Sequence, residues 1–187
     1  LLAYVDKQVE KAIVQGTTLA EFKEQLIPTL QRAGWWGRGD VVDPATGKVL
    51  AAGAQLGSAW RLETIFRSNL QSAYSVGTWT QIQQNISTAP YLMYDAIEDD
   101  RVRPEHLQWN ATVAAVTDPF WKQHYPPNGW NCRCGVVQMT KEEVEDNSLA
   151  VTIPKTETRA WTNPRTGKVR MVSTSVDPGW DHNPGET

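Results

Sequence analysis

Tyr91-Leu92-Met93-Tyr94-Asp95-Ala96-Ile97 decides the fold, because it alternates in the manner of a strand directly after a long helical pattern. Downstream come Asp99-Asp100-Arg101-Val102-Arg103-Pro104-Glu105-His106 and then Tyr125-Pro126-Pro127-Asn128-Gly129-Trp130-Asn131-Cys132-Arg133-Cys134-Gly135. Both cysteines and two of the three histidines fall between Tyr91 and Gly135. The densest run of turn-forming residues, Pro126 to Asn131, lies there too. The residues before Tyr91 read as helical scaffold, and those after Gly135 as a short β-rich tail. A functional site is expected in this stretch.

Working outward, Leu2, Val5, Val9, Ala12 and Ile13 recur at helical spacing until Gly16. Thr18 with Glu21 forms a capping box that starts a second helix, with Leu19, Phe22, Leu26 and Leu30 on its apolar stripe. Asp43-Pro44-Ala45-Thr46-Gly47 is a turn signal between Val41-Val42 and Val49-Leu50, which predicts a surface hairpin arm. Ser58 to Ser87 predicts one long central helix. Leu62, Phe66, Leu70, Ala73 and Gly77 form its stripe, and Gly77 is read as a point of close packing.

Residues 111–116 and 135–139 are further strand candidates, and Thr140 with Glu143 caps a short helix. A second hairpin is expected around Asn163-Pro164-Arg165-Thr166-Gly167, and an irregular tail after Val176. The fold class is therefore α+β: N-terminal helices, one of them long and central, packed on a small and mostly antiparallel sheet with a loop-rich C-terminal part. Three segments are expected: a helical hairpin with a flexible arm (1–57), a core domain (58–155), and a β-hairpin with its tail (156–187).

With 187 residues, 40% of them hydrophobic, and nine tryptophans, the chain can bury a globular core. A net charge of -3 provides no broad basic field for nucleic acid. No run approaches eighteen apolar residues, so no membrane span is expected. Cys-x-Cys spacing is not a secreted disulfide framework, which favours a reducing compartment. The chain opens on Leu1 in what reads as mid-helix, so a longer parent protein is expected.

Residues two apart in a strand share a face, so Cys132 and Cys134 are poorly placed to bond each other but well placed to clasp a soft metal. With His106 and His124 they complete a Cys2His2 zinc set, in which Asp99 or Asp100 could substitute as an oxygen ligand. The plainer reading makes the cysteines small buried hydrophobes and His106 a satisfied loop histidine. Arg101, Arg103 and Arg133 suit phosphates or a partner's carboxylates; alternatively Arg101 and Arg103 pair with Asp99, Asp100 and Glu105 to fix the loop. Arg67 and Asn69 are expected beneath that loop. Trp130 is read as its apolar anchor, while Trp35, Trp36 and Trp180 sit where a core is unexpected and suit interfaces.

The two signature elements, Asp99 to His106 and Tyr125 to Cys134, resemble the bacteriophage Mu F-like head morphogenesis family. Thr17 to Phe22, Thr64 to Leu70 and Val176 to Gly185 agree with it, so the resemblance covers nearly the whole chain. Its structural signature falls here on Asp99, Arg101, Arg103, Pro104, Pro127, Gly129, Trp130, Asn131 and Arg133. The resemblance implies a minor capsid protein acting in head assembly near the portal, with the portal and major capsid proteins as partners. It implies a place in the virion, and in the bacterial host cytoplasm during assembly. It also admits transient contact with packaged DNA, and it implies no catalysis. The alternative is a metal-dependent nuclease or nucleotide-transferring enzyme using the His/Cys centre. The sequence has no His-Glu-x-x-His run, no glycine-rich phosphate loop and no nucleophile elbow to support it.

Overall fold

Helix α1 (Leu2–Gln15) stops at Gly16, whose φ of 67° is the left-handed conformation that ends helices. In the computed structural model, which describes residues 1–164 and 166–186, α2 follows over Leu19–Arg32. Its capping box is formed as expected: Thr18 Oγ1 accepts the Glu21 N–H, and the Glu21 carboxylate accepts the Thr18 N–H at 2.8 Å. Thr18→Ala is expected to cost about 1 kcal/mol, read as a lower denaturant midpoint.

The chain divides into two compact units, Leu1–Leu70 and Gln71–Thr187. In the first, Phe22, Leu26 and Leu30 of α2 pack with Leu62 and Phe66 of α3 (Ala59–Asn85), and the Phe22 and Phe66 rings lie 5.2 Å apart. Trp35 and Trp36 are half-buried against this cluster, so they are core material and not free interface residues. The exposed aromatics of α3 are Trp60 and Tyr74. Nothing lies within 4 Å of where a Cβ would stand on Gly77, which removes the close contact expected there. Arg67 pairs with Glu63, and Asn69 donates to the Ile65 carbonyl. Both of these bonds stay within α3.

The arm is an antiparallel ribbon of β1 (Arg38–Val42) and β2 (Val49–Gln55), exposed along most of its length. Its turn has a twin. Asp43-Pro44-Ala45-Thr46-Gly47-Lys48-Val49 and Asn163-Pro164-Arg165-Thr166-Gly167-Lys168-Val169 share Pro, Thr, Gly, Lys and Val at the same offsets. The N–H of Asp43 donates to the Lys48 carbonyl at 2.9 Å, and that of Asn163 to the Lys168 carbonyl at 2.8 Å. Gly47 and Gly167 take left-handed φ values of 68° and 69°, which is why both turns need glycine there. Arg165, part of the expected second turn, lies outside the described residues.

In the second unit the sheet has the order β4-β3-β5, all antiparallel. It comprises β3 (Tyr91–Asp95), β4 (Val113–Ala115) and β5 (Gly135–Met139), so the expected strand at Tyr91 is present. Alternation on β3 sends Leu92 and Tyr94 into a core with Trp79 and Ile82 of α3. Tyr91 and Met93 face a smaller cluster of Val113, Met139 and Val144. Gln138 of β5 donates to the Ile82 and Ala89 carbonyls at 3.0 and 2.8 Å, tying the sheet to the end of α3. Short helices α4 (Pro104–Leu107), α5 (Phe120–His124) and α6 (Lys141–Asp146) fill the connections. Strands β6 (Thr158–Thr162) and β7 (Val169–Ser173) make the second ribbon. Among the described residues no helix is long and apolar enough to cross a membrane.

Candidate functional site

Arg103-Pro104 starts α4 with proline at its first position, where no donor is lost, and one turn later His106 points into the core. The chain then passes through Trp109, which is 1% exposed, before entering β4. Just ahead of β5, Cys132 and Cys134 are buried while Arg133 between them is exposed, the period of two expected of an extended chain. These two approaches bring His106 Nδ1 to 3.6 Å from the Cys132 sulfur and 3.8 Å from the Cys134 sulfur. All three donor atoms lie within 4.8 Å of one another.

A tetrahedral zinc would set its sulfur and nitrogen ligands about 3.6 Å apart, given the usual Zn–S and Zn–N bond lengths. A thiol–imidazole hydrogen bond has a similar length, so the distances suit either state. The electrostatics favour a thiolate. A hydrogen bond from the Cys132 S–H to the Cys134 sulfur holds the Cys134 thiol below its ordinary range, with His106 and the Tyr94 hydroxyl adding to the effect. The same sharing, with burial, pushes Cys132 well above the ordinary thiol range.

His124 stays out of the group. One ring face stacks on Phe120 at 4.6 Å and the Trp109 edge lies 4.7 Å away, while Nδ1 meets the Phe120 carbonyl at 3.1 Å. Burial lowers its pKa, so it sits in the core as a neutral ring. His106 stacks nearly parallel to Trp109 at 5.8 Å, so both histidines meet the same indole. Asp99 and Asp100 also lie outside the ligand group, since among the described residues it consists of His106, Cys132 and Cys134.

The surrounding loop is held by paired charges. Arg133 binds Asp99 through two bonds of 2.7 Å, while Arg101 reaches Asp99 only at 3.4 Å. Arg103 does not pair with Asp99, Asp100 or Glu105. It donates to the Trp130 carbonyl at 2.9 Å and to Asp177, from the tail, at 3.1 Å. Asp177 also accepts the Trp130 N–H, and its own N–H donates to the Asn128 carbonyl at 2.9 Å. A Cβ on Gly129 would run into the Asp177 carboxylate and the Arg103 guanidinium, so only glycine lets this clamp close. Asn128, fully buried, accepts from the Tyr94 hydroxyl at 2.9 Å. Asn131 takes a φ of 57°, which asparagine tolerates better than most residues. The peptide between Pro126 and Pro127 is cis.

Trp130 is not the anchor expected of it. It is 54% exposed and meets the half-buried Trp180 edge-on at 5.2 Å. The buried aromatic of the site is Trp109, which sequence reasoning passed over. Asp177 and Tyr94 were missed as functional residues too. The only prior signal for Asp177 was its place in the Val176 to Gly185 piece of the resemblance.

Asp99 yields a pH dependence. Hydrogen bonds from Arg133 hold its carboxyl well below the ordinary 3.8, with the Arg101 backbone N–H and the neighbouring guanidiniums helping. A lowered folded-state pKa gives stability that is present above the unfolded value, and that is lost as pH falls toward the lowered one. The pair should therefore be intact at neutral pH and weaken below about pH 4. Asp99→Asn should lack that part of the acid sensitivity. Parallel melting curves for parent and variant from about pH 6 to pH 2 would contradict this.

Fold and site together define an α+β protein organised on a buried histidine–dithiol group. The chain belongs to the Phage Mu protein F like protein family, which it matches over residues 3–137. It is 36% identical over 200 aligned positions to protein F of Escherichia phage Mu, a protein named as a candidate capsid assembly protein. That alignment covers 99% of this chain and 45% of the phage protein. It is 37% identical over 142 positions to the Mu-like prophage FluMu F protein of Haemophilus influenzae, covering 76% of this chain and 33% of that protein. The chain thus spans less than half the length of either relative. No solved structure matches it.

Proposed function

We propose that the chain is a structural component of phage head assembly, a minor capsid protein acting near the portal. Support comes chiefly from family membership: the match runs from α1 through both approaches to the His/Cys/Cys group. One aligned relative carries capsid assembly in its name. The partners of this reading are the portal and major capsid proteins, with transient contact to packaged DNA. Its places are the virion, and the host cytoplasm while heads form. Exposed Trp60, Tyr74 and Trp130 are suitable interface material. The comparisons hold no support for the enzymatic alternative.

The test is a phage or prophage with the parent gene deleted and then restored in trans. Heads should be lost on deletion and return on complementation, counted by electron microscopy. The protein should be found in purified particles or their precursors, and should crosslink to the portal. Normal head numbers without the gene would overturn the reading. Crosslinks to the shell alone would remove only the portal assignment.

His106, Cys132 and Cys134 are further proposed to hold zinc as a structural ion. The fit rests on three buried soft donors at ligand spacing, one of them already favouring the thiolate form a metal requires. Bound there, zinc would fasten the α4 turn to the chain entering β5.

A further inference from the structure

We infer that the zinc of this site keeps one coordination position for a carboxylate that comes from outside the group, guided to it by Arg101. The inference rests on the zinc reading and adds a ligand to it.

Among the described residues the group has three donors, whereas zinc in proteins is almost always four-coordinate. Sites with three protein ligands hold water or an external ligand in the fourth position. A position of that kind has somewhere to open. Next to the group lies a cleft of about 140 Å³, lined by His106, Cys132 and Cys134 together with Arg101, Arg103 and Arg133. It has room for several waters, and so for a small oxyanion.

The guanidiniums lining the cleft suit an oxyanion as ligand. Two thiolates would cancel a divalent cation. Arg133 is matched by Asp99 in a two-bond pair, and Arg103 by Asp177. Arg101 keeps only the 3.4 Å contact to an Asp99 that Arg133 already occupies, and its side chain is 76% exposed. Asp100 adds a further negative charge beside Arg133, so what remains is an exposed donor and not a net charge: the Arg101 guanidinium at the rim of the opening. Two of the three arginines already hold carboxylates, one in the planar two-bond mode that guanidinium geometry favours. Such a carboxylate could arrive as a free small acid or on an acidic side chain of an assembly partner, since the chemistry recognised is the same.

The test uses the full chain loaded with cobalt(II), whose visible spectrum reports the ligands around it. Acetate, inorganic phosphate and chloride are titrated separately into the parent and into Arg101→Gln. Acetate is expected to shift the cobalt bands saturably, and more tightly than phosphate or chloride. Arg101→Gln is expected to load cobalt and melt like the parent while binding acetate about threefold to fivefold more weakly, the scale of an exposed charge contact. Peptides ending in Asp or Glu, compared with acetate, separate a partner's side chain from a free acid. If cobalt does not load, the zinc reading fails and this inference falls with it. If cobalt loads but acetate leaves the bands unchanged, the open position alone is wrong. Tighter binding of phosphate would overturn the carboxylate assignment, and equal acetate affinity in Arg101→Gln would overturn the role given to that arginine.

Discussion

Trp109→Ala is expected to destabilise the second unit by about 3–5 kcal/mol, the range for removing a buried large aromatic side chain. Its indole is 1% exposed, and four rings meet it: Tyr94 at 5.5 Å, Phe120 at 6.0 Å, His106 at 5.8 Å and His124 at 4.7 Å. Alanine would leave a cavity bordering the sheet, α5 and the His/Cys/Cys group at once. For a chain of this length the loss corresponds to a melting temperature lower by roughly 6–20 °C. Trp130→Ala makes the contrast. It removes a half-exposed ring with one edge contact to Trp180, so no more than about 1.5 kcal/mol should be lost. Thermal melts of the two variants separate the assignments. Equal effects, or a larger one at Trp130, would mean the core is not organised on Trp109.

The second large effect is loss of the proposed zinc. Zinc present at about a thousandfold above its dissociation constant stabilises the folded state by roughly 4 kcal/mol. Stripping it with a chelator should lower the melting temperature by roughly 8–16 °C in a chain of this size. Cys134→Ser should melt near the stripped parent and respond little to chelator, because a hydroxyl does not replace a thiolate on zinc. His106→Ala should also melt lower, since the ring both donates to the group and stacks on Trp109. The enzymatic alternative makes the opposite forecast: His106→Ala stays folded and loses a hydrolytic or transfer activity. Melting both variants with and without chelator decides between them.

Much of this fold is legible locally. Thr18 with Glu21 and Thr140 with Glu143 announce two helix starts, because a capping box is complete within four residues. Tyr91 to Asp95 announces its strand through alternation, and Asp43 to Gly47 its turn through the residues that turn demands. Cys132 and Cys134 were legible as a pair facing one way, whereas His106 was joined to them, as His124 was, by residue type alone. What failed depended on distant partners. Arg103 lies beside Asp99, Asp100 and Glu105 in sequence, yet its carboxylate is Asp177, 74 residues away. Trp130 looked like an anchor because tryptophans in loops usually bury, but it is 54% exposed, and it is the half-buried Trp180 beside it that packs on the core. His124 looked like a ligand by residue type. Its direction was set by α5, which lays the ring on Phe120 one turn earlier, and no local pattern carries that information.

Elemental analysis of the chain, purified from cells without added metal or chelator, tests most directly whether His106, Cys132 and Cys134 form a metal clasp. The expected result is about one zinc per chain in the parent, and essentially none in the Cys132→Ser/Cys134→Ser double variant. A parent with no more zinc than the double variant would contradict it, and would leave the group as a buried histidine hydrogen-bonded to two thiols.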